Sequence, residues 1–229
     1  GQELILQTDS LSFASDYNIK YYKSALFSIN NMDINRNILD SVDLPCFVYD
    51  TKEADRQFKE LKNSFGKNNK NVEYFYSFKT NPALASYLVS KGMGLQVTSR
   101  NHLKEALKIT SGKNIVFSSR DLTKEIIRSL IKNNVHIIVN SELQLKLINS
   151  INNDYPIGIR IDTKIKSRET SFAASNLGLG IDYEKIEKIM TSNIKGLHNH
   201  LASQILDLES YRQNANILVN LANKLKISY

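Results

Sequence analysis

The 229-residue sequence has no tryptophan, one cysteine, three prolines and nine glycines. So few glycines and prolines exclude a collagen-like or low-complexity chain. The single cysteine, Cys46, excludes an internal disulfide and suits a reducing compartment. It lies in the apolar stretch Leu44-Pro45-Cys46-Phe47-Val48 and reads as a buried small hydrophobe rather than a nucleophile. No apolar run approaches the roughly 20 residues that span a bilayer. The first residues, Gly1-Gln2-Glu3-Leu4, lack the basic-then-apolar layout of a secretory signal. The expectation is a cytoplasmic protein with no membrane partner.

What is present is an ordinary globular composition, 41% hydrophobic and 23% charged, which is enough to build a core. The formal net charge of +7 invites a nucleic-acid reading. The basic residues are instead spread along the chain and paired with acids, as in Lys52-Glu53-Ala54-Asp55-Arg56 and Glu184-Lys185-Ile186-Glu187-Lys188. That is the pattern of solvated helix faces, so no nucleic-acid partner is expected.

Short runs rich in β-branched and aromatic residues alternate with stretches of helical period. The runs are Tyr74-Phe75-Tyr76-Ser77-Phe78, Gly94-Leu95-Gln96-Val97-Thr98, Asn114-Ile115-Val116-Phe117-Ser118, Val135-His136-Ile137-Ile138-Val139, Ile157-Gly158-Ile159-Arg160-Ile161 and 194–200. Helices are expected over 52–65, 82–91, 101–110, 122–133, 142–151, 183–191 and 206–226, with Asp121 and Ser141 as helix starts. Alternating β and α segments predict parallel strands joined by helical crossovers. Polar residues close successive strands at Lys79, Ser99, Ser119, Ser141 and Asp162, spaced 20, 20, 22 and 21 residues apart. His200 comes 38 residues later, after a polar loop over 163–180. A 20-residue unit with polar groups at the strand's C-terminal end predicts a (β/α) TIM-type barrel. No glycine-rich dinucleotide fingerprint follows any strand, which counts against an open doubly wound sheet.

Lys79 closes an aromatic strand at the end where barrel sites form. Partial burial there would lower its pKa and suit it to attack on a carbonyl. His198 and His200 alternate onto one face of a strand. Cofactor packing, a structural role and metal binding all remain open for them. With no cysteine or acid nearby as a third ligand, no metal is expected. His102 and His136 read as structural or exposed.

The words Phe47-Val48-Tyr49-Asp50, Tyr76-Ser77-Phe78-Lys79-Thr80-Asn81-Pro82, Gly92-Met93-Gly94-Leu95-Gln96-Val97-Thr98-Ser99, Ile115-Val116-Phe117-Ser118, Asn140-Ser141-Glu142-Leu143 and Ile159-Arg160-Ile161 occur in order. They are followed by Gly196-Leu197-His198-Asn199-His200-Leu201-Ala202-Ser203-Gln204. The ordered set resembles the fold type III pyridoxal-phosphate amino-acid decarboxylases, which act on diaminopimelate, ornithine, lysine, arginine or carboxynorspermidine. The resemblance implies a barrel of the alanine racemase-like fold and pyridoxal 5'-phosphate as cofactor. It also implies an amino-acid substrate of diaminopimelate, ornithine or lysine type, and a homodimer. It makes Lys79 the lysine that forms the internal aldimine, and places His200 against the pyridine ring. Ser203 becomes a hydrogen-bond donor to the phosphate, and Arg160 an arginine near the cofactor. The alternatives are an alanine-racemase-type enzyme and a non-catalytic pyridoxal-phosphate-binding barrel.

This sequence departs from the family pattern at Gln96, where aspartate is usual, at His102, where glutamate is usual, and at Leu201-Ala202, where Ile-Gly is usual. Ser175-Asn176-Leu177-Gly178 stands for the usual Ser-Lys-Phe-Gly. Only 25 residues follow Gln204, too few for two more units of about 20 residues. The expectation is therefore about six of eight barrel strands, within a partial cofactor-binding barrel over 44–229. Residues 1–43 read as an N-terminal extension or a piece of the family's β-domain.

Overall fold

The computed structural model describes the backbone of residues 4–7, and residues 47–65, 71–165, 180–201 and 207–227. Cys46 and Ser203 lie outside the described residues, as do Ala202 and the segment Ser175-Asn176-Leu177-Gly178. The chain divides into two compact units, residues 1–72 and 73–229.

In the first unit, strand β1 (Leu4–Gln7) pairs antiparallel with β2 (Phe47–Asp50). Asp50 ends β2 and starts helix α1 (Thr51–Ser64), its carboxylate accepting from the Lys52 N–H at 2.8 Å. Such a cap contributes about 1 kcal/mol. The exposed side of α1 carries the Glu53–Arg56–Glu60 ladder expected of a solvated face.

In the second unit the strands are β3 (Phe75–Ser77), β4 (Gly94–Val97), β5 (Ile115–Ser118), β6 (His136–Val139), β7 (Ile157–Asp162), β8 (Ile181–Asp182) and β9 (Ile194–His198). Every pairing among them is parallel. The order is β3-β4-β5-β6-β7, with β9 beside β7 and the two-residue β8 on the last residues of β7. The connecting helices are α2 (Ala85–Ser90), α3 (Arg100–Ile109), α4 (Lys124–Lys132) and α5 (Glu142–Asn149). Helix α6 (Leu208–Leu225) follows β9.

One face of this sheet is a continuous apolar layer. In-register neighbours Leu95, Ile115, Phe117, Ile137, Val139, Ile157 and Ile159 are at most 1% exposed. They pack with Leu103, Ala106, Ile126, Ile127, Leu130, Leu145 and Ile148 of the helices. Burying each large side chain contributes about 1.5–3 kcal/mol. The alternate residues point the other way. Toward the strands' N-terminal ends that second face is also filled, because large side chains lie over glycines. A Cβ on Gly94 would sit 2.5 Å from the Phe75 ring, and one on Gly158 would sit 2.4 Å from Ile138 Cδ1. Toward the C-terminal ends the same face turns polar, through Ser77, Gln96, Ser118, Arg160 and His198.

The helices start where hydroxyls can cap them. Ser99, Thr123 and Ser141 accept from the N–H groups of His102, Ile126 and Gln144 at 3.2–3.3 Å. The start expected at Asp121 therefore moves to Thr123. The helix expected over 82–91 opens as a 3-10 turn, Pro82–Leu84, capped by Asn81. The helix expected over 183–191 is not formed; only a 3-10 turn, Ile186–Ile189, is present. The N–H groups of Lys185 and Lys188 bond three residues back, to the Asp182 and Lys185 carbonyls, so the segment turns with 3-10 rather than α geometry. The Tyr183 N–H donates to the Asp162 carbonyl and ties the start of the segment to β7.

Candidate active site

The C-terminal ends of the strands carry the candidate side chains. The turn bearing Lys79 is fixed from both sides. Phe78 is buried, donates its N–H to the Gln96 carbonyl at 3.0 Å, and meets the His102 ring edge-on at 5.3 Å. The Tyr76 hydroxyl donates to the Asn81 carbonyl beyond the turn. Lys79 itself is exposed, so the partial burial expected of it is not seen. The physical reason is its place on β3, which has one strand neighbour among the described residues.

The ends of β5 and β6 are locked by a buried amide network. Ser118 Oγ donates to Asn140 Oδ1 at 3.1 Å, and Asn140 Nδ2 donates to the Ser119 carbonyl at 2.8 Å. Gln144 closes the loop by accepting from the Asn140 N–H and donating to the Ser119 and Arg120 carbonyls. Because each buried amide has partners, the network fixes the backbone that presents Arg120.

On β7, Arg160 is 8% exposed and its Nη2 donates to the His200 carbonyl at 3.5 Å. Burial, and then the positive charge of Arg120, hold its pKa below the ordinary value, with Asp162 acting the other way. In register with Arg160 on β9 stands His198. Burial, followed by Arg160 and His200, pushes His198 down to about 4. His200 lies at the exposed rim beyond β9. The protein packed around its ring lowers its pKa, and Arg160 and Lys79 lower it further. The charges of Lys79 and Arg160 thus both reach His200, and that of Arg120 reaches Arg160.

The structure brings together three of the four residues expected from the sequence, Lys79, Arg160 and His200. Ser203 lies outside the described residues. The other polar strand ends serve the backbone instead: Ser99 and Ser141 cap helices, Ser119 accepts from the Asp121 N–H, and Asp162 accepts from the Lys164 N–H. Arg120 was not singled out from the sequence. Its signal was its place one residue past Ser119, at the same end of β5. Among the described residues no cluster of three His, Cys, Asp or Glu side chains could hold a metal ion, and no helix is long and apolar enough to cross a membrane.

Residues 51–229 match the family model for the pyridoxal binding domain of pyridoxal-dependent decarboxylases. The chain belongs to that family. Diaminopimelate decarboxylase of Campylobacter jejuni is 25% identical over 198 residues, covering 80% of this chain and 49% of the relative. The Staphylococcus aureus diaminopimelate decarboxylase is 24% identical over 218 residues, covering 88% and 52%. The chain spans about half the length of the curated relatives it matches. The crystal structure of Helicobacter pylori diaminopimelate decarboxylase (I148L mutant) complexed with L-lysine superposes with a TM-score of 0.73 at 22% identity, over 84% of this chain and 54% of that one. The Paramecium bursaria Chlorella virus arginine decarboxylase superposes with a TM-score of 0.62 at 15% identity, over 76% and 50%. The fold shown by these likenesses is a partial barrel of the alanine racemase-like type.

The family's cofactor is pyridoxal phosphate, an aldehyde carrying a phosphate dianion, and the donor set of this face fits it. Lys79 offers an accessible amine. Arg120, Arg160 and Lys79 gather positive charge on a face where Asp162 is the acid acting on Arg160. Among the described residues His198 Nδ1 is closed off from solvent with no hydrogen-bond partner, a buried polar atom that the protein alone leaves unsatisfied.

Proposed function

We propose that the full-length protein decarboxylates an amino acid of diaminopimelate, ornithine or lysine type with pyridoxal phosphate, and that Lys79, Arg160, His200 and Ser203 hold the cofactor. The observation that carries this reading is the convergence of Lys79, Arg160 and His200, from three separate strand ends, on one positively charged rim. When bound, the cofactor's pyridinium ring supplies the electron sink for the charge left on the α-carbon as carbon dioxide departs.

The chain's own residues bind, orient and move protons. Lys79 would hold the cofactor through its Nζ, an amine on an exposed side chain that is free to reach the cofactor's aldehyde. The same exposed side chain could carry a proton at Nζ toward the substrate carbon. His200 would lie against the ring, and its depressed pKa would keep the imidazole uncharged there, so that it would not repel a cationic ring. Arg160 is held by burial and by the His200 carbonyl, and it fixes an anionic oxygen at the strand ends. Ser203 would donate to the phosphate. A cytoplasmic homodimer, with the cofactor-binding barrel over 44–229 and an N-terminal extension over 1–43, completes the proposal.

The test uses the full-length protein with pyridoxal phosphate and meso-diaminopimelate, ornithine, lysine or arginine, following carbon dioxide release. One of these substrates is expected to turn over, and borohydride is expected to fix the cofactor on the peptide containing Lys79. Interconversion of amino-acid enantiomers without carbon dioxide release would replace the reading by a racemase. Trapping at Lys79 with no turnover would leave a cofactor-carrying protein.

A further inference from the structure

His198 is a titratable side chain of this face to which the functional reading gives no task. It ends β9 in register with Arg160 of β7, so the two side chains project from the same face of the sheet. The positive charge of Arg160 acts on its ring, as that of His200 would when protonated, which places it beside the pair assigned to the cofactor. Its Nδ1 is shut off from solvent and has no partner. A polar atom in that state is normally satisfied by something the bare chain does not supply.

The kind of partner follows from the surroundings. Arg120, Arg160 and Lys79 draw an anion to this face. The imidazole stays uncharged near neutrality because burial and its cationic neighbours oppose protonation, so one of its nitrogens carries a proton and the other accepts. In the tautomer protonated at Nδ1, the orphaned atom becomes a donor suited to an anionic oxygen. A guanidinium and a neutral imidazole then divide the work. Arg160 supplies charge, and His198 supplies direction without adding another charge to a crowded cationic rim.

We propose that His198 is a further recognition residue of this site, donating from Nδ1 to an anionic oxygen of the group bound against Arg160. The proposal rests on the cofactor reading above. Two sources carry such an oxygen, the phosphate-bearing cofactor and the substrate carboxylate, and they are separable by measurement.

In the full-length protein, pyridoxal phosphate affinity is measured by absorbance titration and the KM for the amino acid by carbon dioxide release. Three variants are compared: His198→Asn, whose amide reaches the position of Nδ1; His198→Gln, whose amide reaches that of Nε2; and His198→Leu. His198→Leu is expected to weaken one affinity by about ten- to a hundredfold, the loss of a hydrogen bond to a charged group. His198→Asn is expected to recover most of it, and His198→Gln little. A loss in cofactor affinity identifies a cofactor oxygen; a loss confined to KM identifies the substrate carboxylate. Equal behaviour of His198→Asn and His198→Gln, or unchanged affinities in His198→Leu, overturns the proposal. A wild-type protein that neither binds pyridoxal phosphate nor is trapped at Lys79 overturns the cofactor reading itself. Normal wild-type trapping with indifferent His198 variants defeats only this inference.

Discussion

The two faces of the parallel sheet are made of alternate residues of the same strands, and they follow different rules. On the helix-covered face every layer is aliphatic or aromatic and almost wholly buried, from Leu95 across Phe117 to Ile159. On the opposite face the layers change character along the strand. Phe75 and Ile138 fill the space over Gly94 and Gly158, whereas Ser77, Gln96, Ser118, Arg160 and His198 follow toward the C-terminal ends. The first face can be assembled from burial alone. The second face keeps buried polar groups that lower stability unless they are paired. It pairs some of them internally, as in Ser77 to Gln96 and Ser118 to Asn140, and leaves His198 Nδ1 unpaired. Stability is concentrated on one face and the candidate site on the other.

Substitutions that separate activity from folding break this comparison most sharply. Lys79→Ala removes an exposed side chain at the rim, and stability is expected to stay within about 0.5 kcal/mol. Carbon dioxide release by the full-length protein is expected to fall by about a thousandfold or more, since the substitution removes the amine that the proposed function assigns to the cofactor. Urea unfolding and steady-state rates measured on one preparation check both halves. A substantial loss of stability would mean that the rim is structural after all.

The converse variant is Phe117→Ala on the helix-covered face, where the ring is fully buried. It is expected to destabilise by about 3–5 kcal/mol, read as a shift of the urea midpoint. Activity per folded molecule at low temperature should change little. A selective loss of turnover in molecules that remain folded would show that the two faces are coupled.

The third test is pH. Folding lowers the His198 pKa from 6.5 to about 4, so the folded state binds fewer protons than the unfolded chain between those values. The contribution of the neutral, buried ring is whole above pH 6.5 and drains away as pH falls toward about 4. At pH 5 the loss relative to pH 7.5 is expected to be about 2 kcal/mol, and His198→Asn should remove that slope. Parallel unfolding curves for both proteins across this range make the check. Identical slopes would mean that the ring is protonated in the folded protein as readily as in the unfolded one.

The helix-covered face was legible in the sequence because its signal is additive. Runs such as Ile115-Val116-Phe117 and Val135-His136-Ile137-Ile138-Val139, repeated about every 20 residues, admit few readings other than β/α units. The polar face was legible only where a motif named it, at Lys79, Arg160 and His200. Polar residues at strand ends have two uses, and composition does not tell them apart. Ser141, expected as a helix start, does cap one, whereas Ser99, expected only as a strand end, caps α3 as well. Arg120 went unnoticed because the chain holds 30 lysines and arginines, and nothing local distinguishes one beside a site from one on a solvated helix. Gln144 was read as part of a helix, yet it ties β5 to β6 across 24 and 25 residues of sequence. Contacts of that kind leave no periodic trace. In the segment 183–191, expected as a helix, the N–H groups of Lys185 and Lys188 bond three residues back rather than four, and the periodic pattern does not tell the two geometries apart.

The smallest expected effect tests where the second face changes character. Gly158 lies on β7 two residues before Arg160, under the end of the Ile138 side chain. A methyl group there would sit 2.4 Å from Ile138 Cδ1, and its next neighbour, the Gly196 carbonyl, would be 3.6 Å away. The obstacle is therefore one terminal methyl on a flexible side chain rather than the backbone. Gly158→Ala is expected to destabilise by about 1 kcal/mol, the low end of overpacking. Ile138→Val shortens the obstructing branch and should cost about 0.5–1.5 kcal/mol by itself. Combined, the two should cost less than their sum, because the added methyl occupies the space that the lost one vacates. A double-mutant cycle in urea measures that coupling. Strict additivity would mean that the lower half of this face is loosely filled, and the boundary between packed and polar layers would then lie nearer the strands' N-terminal ends.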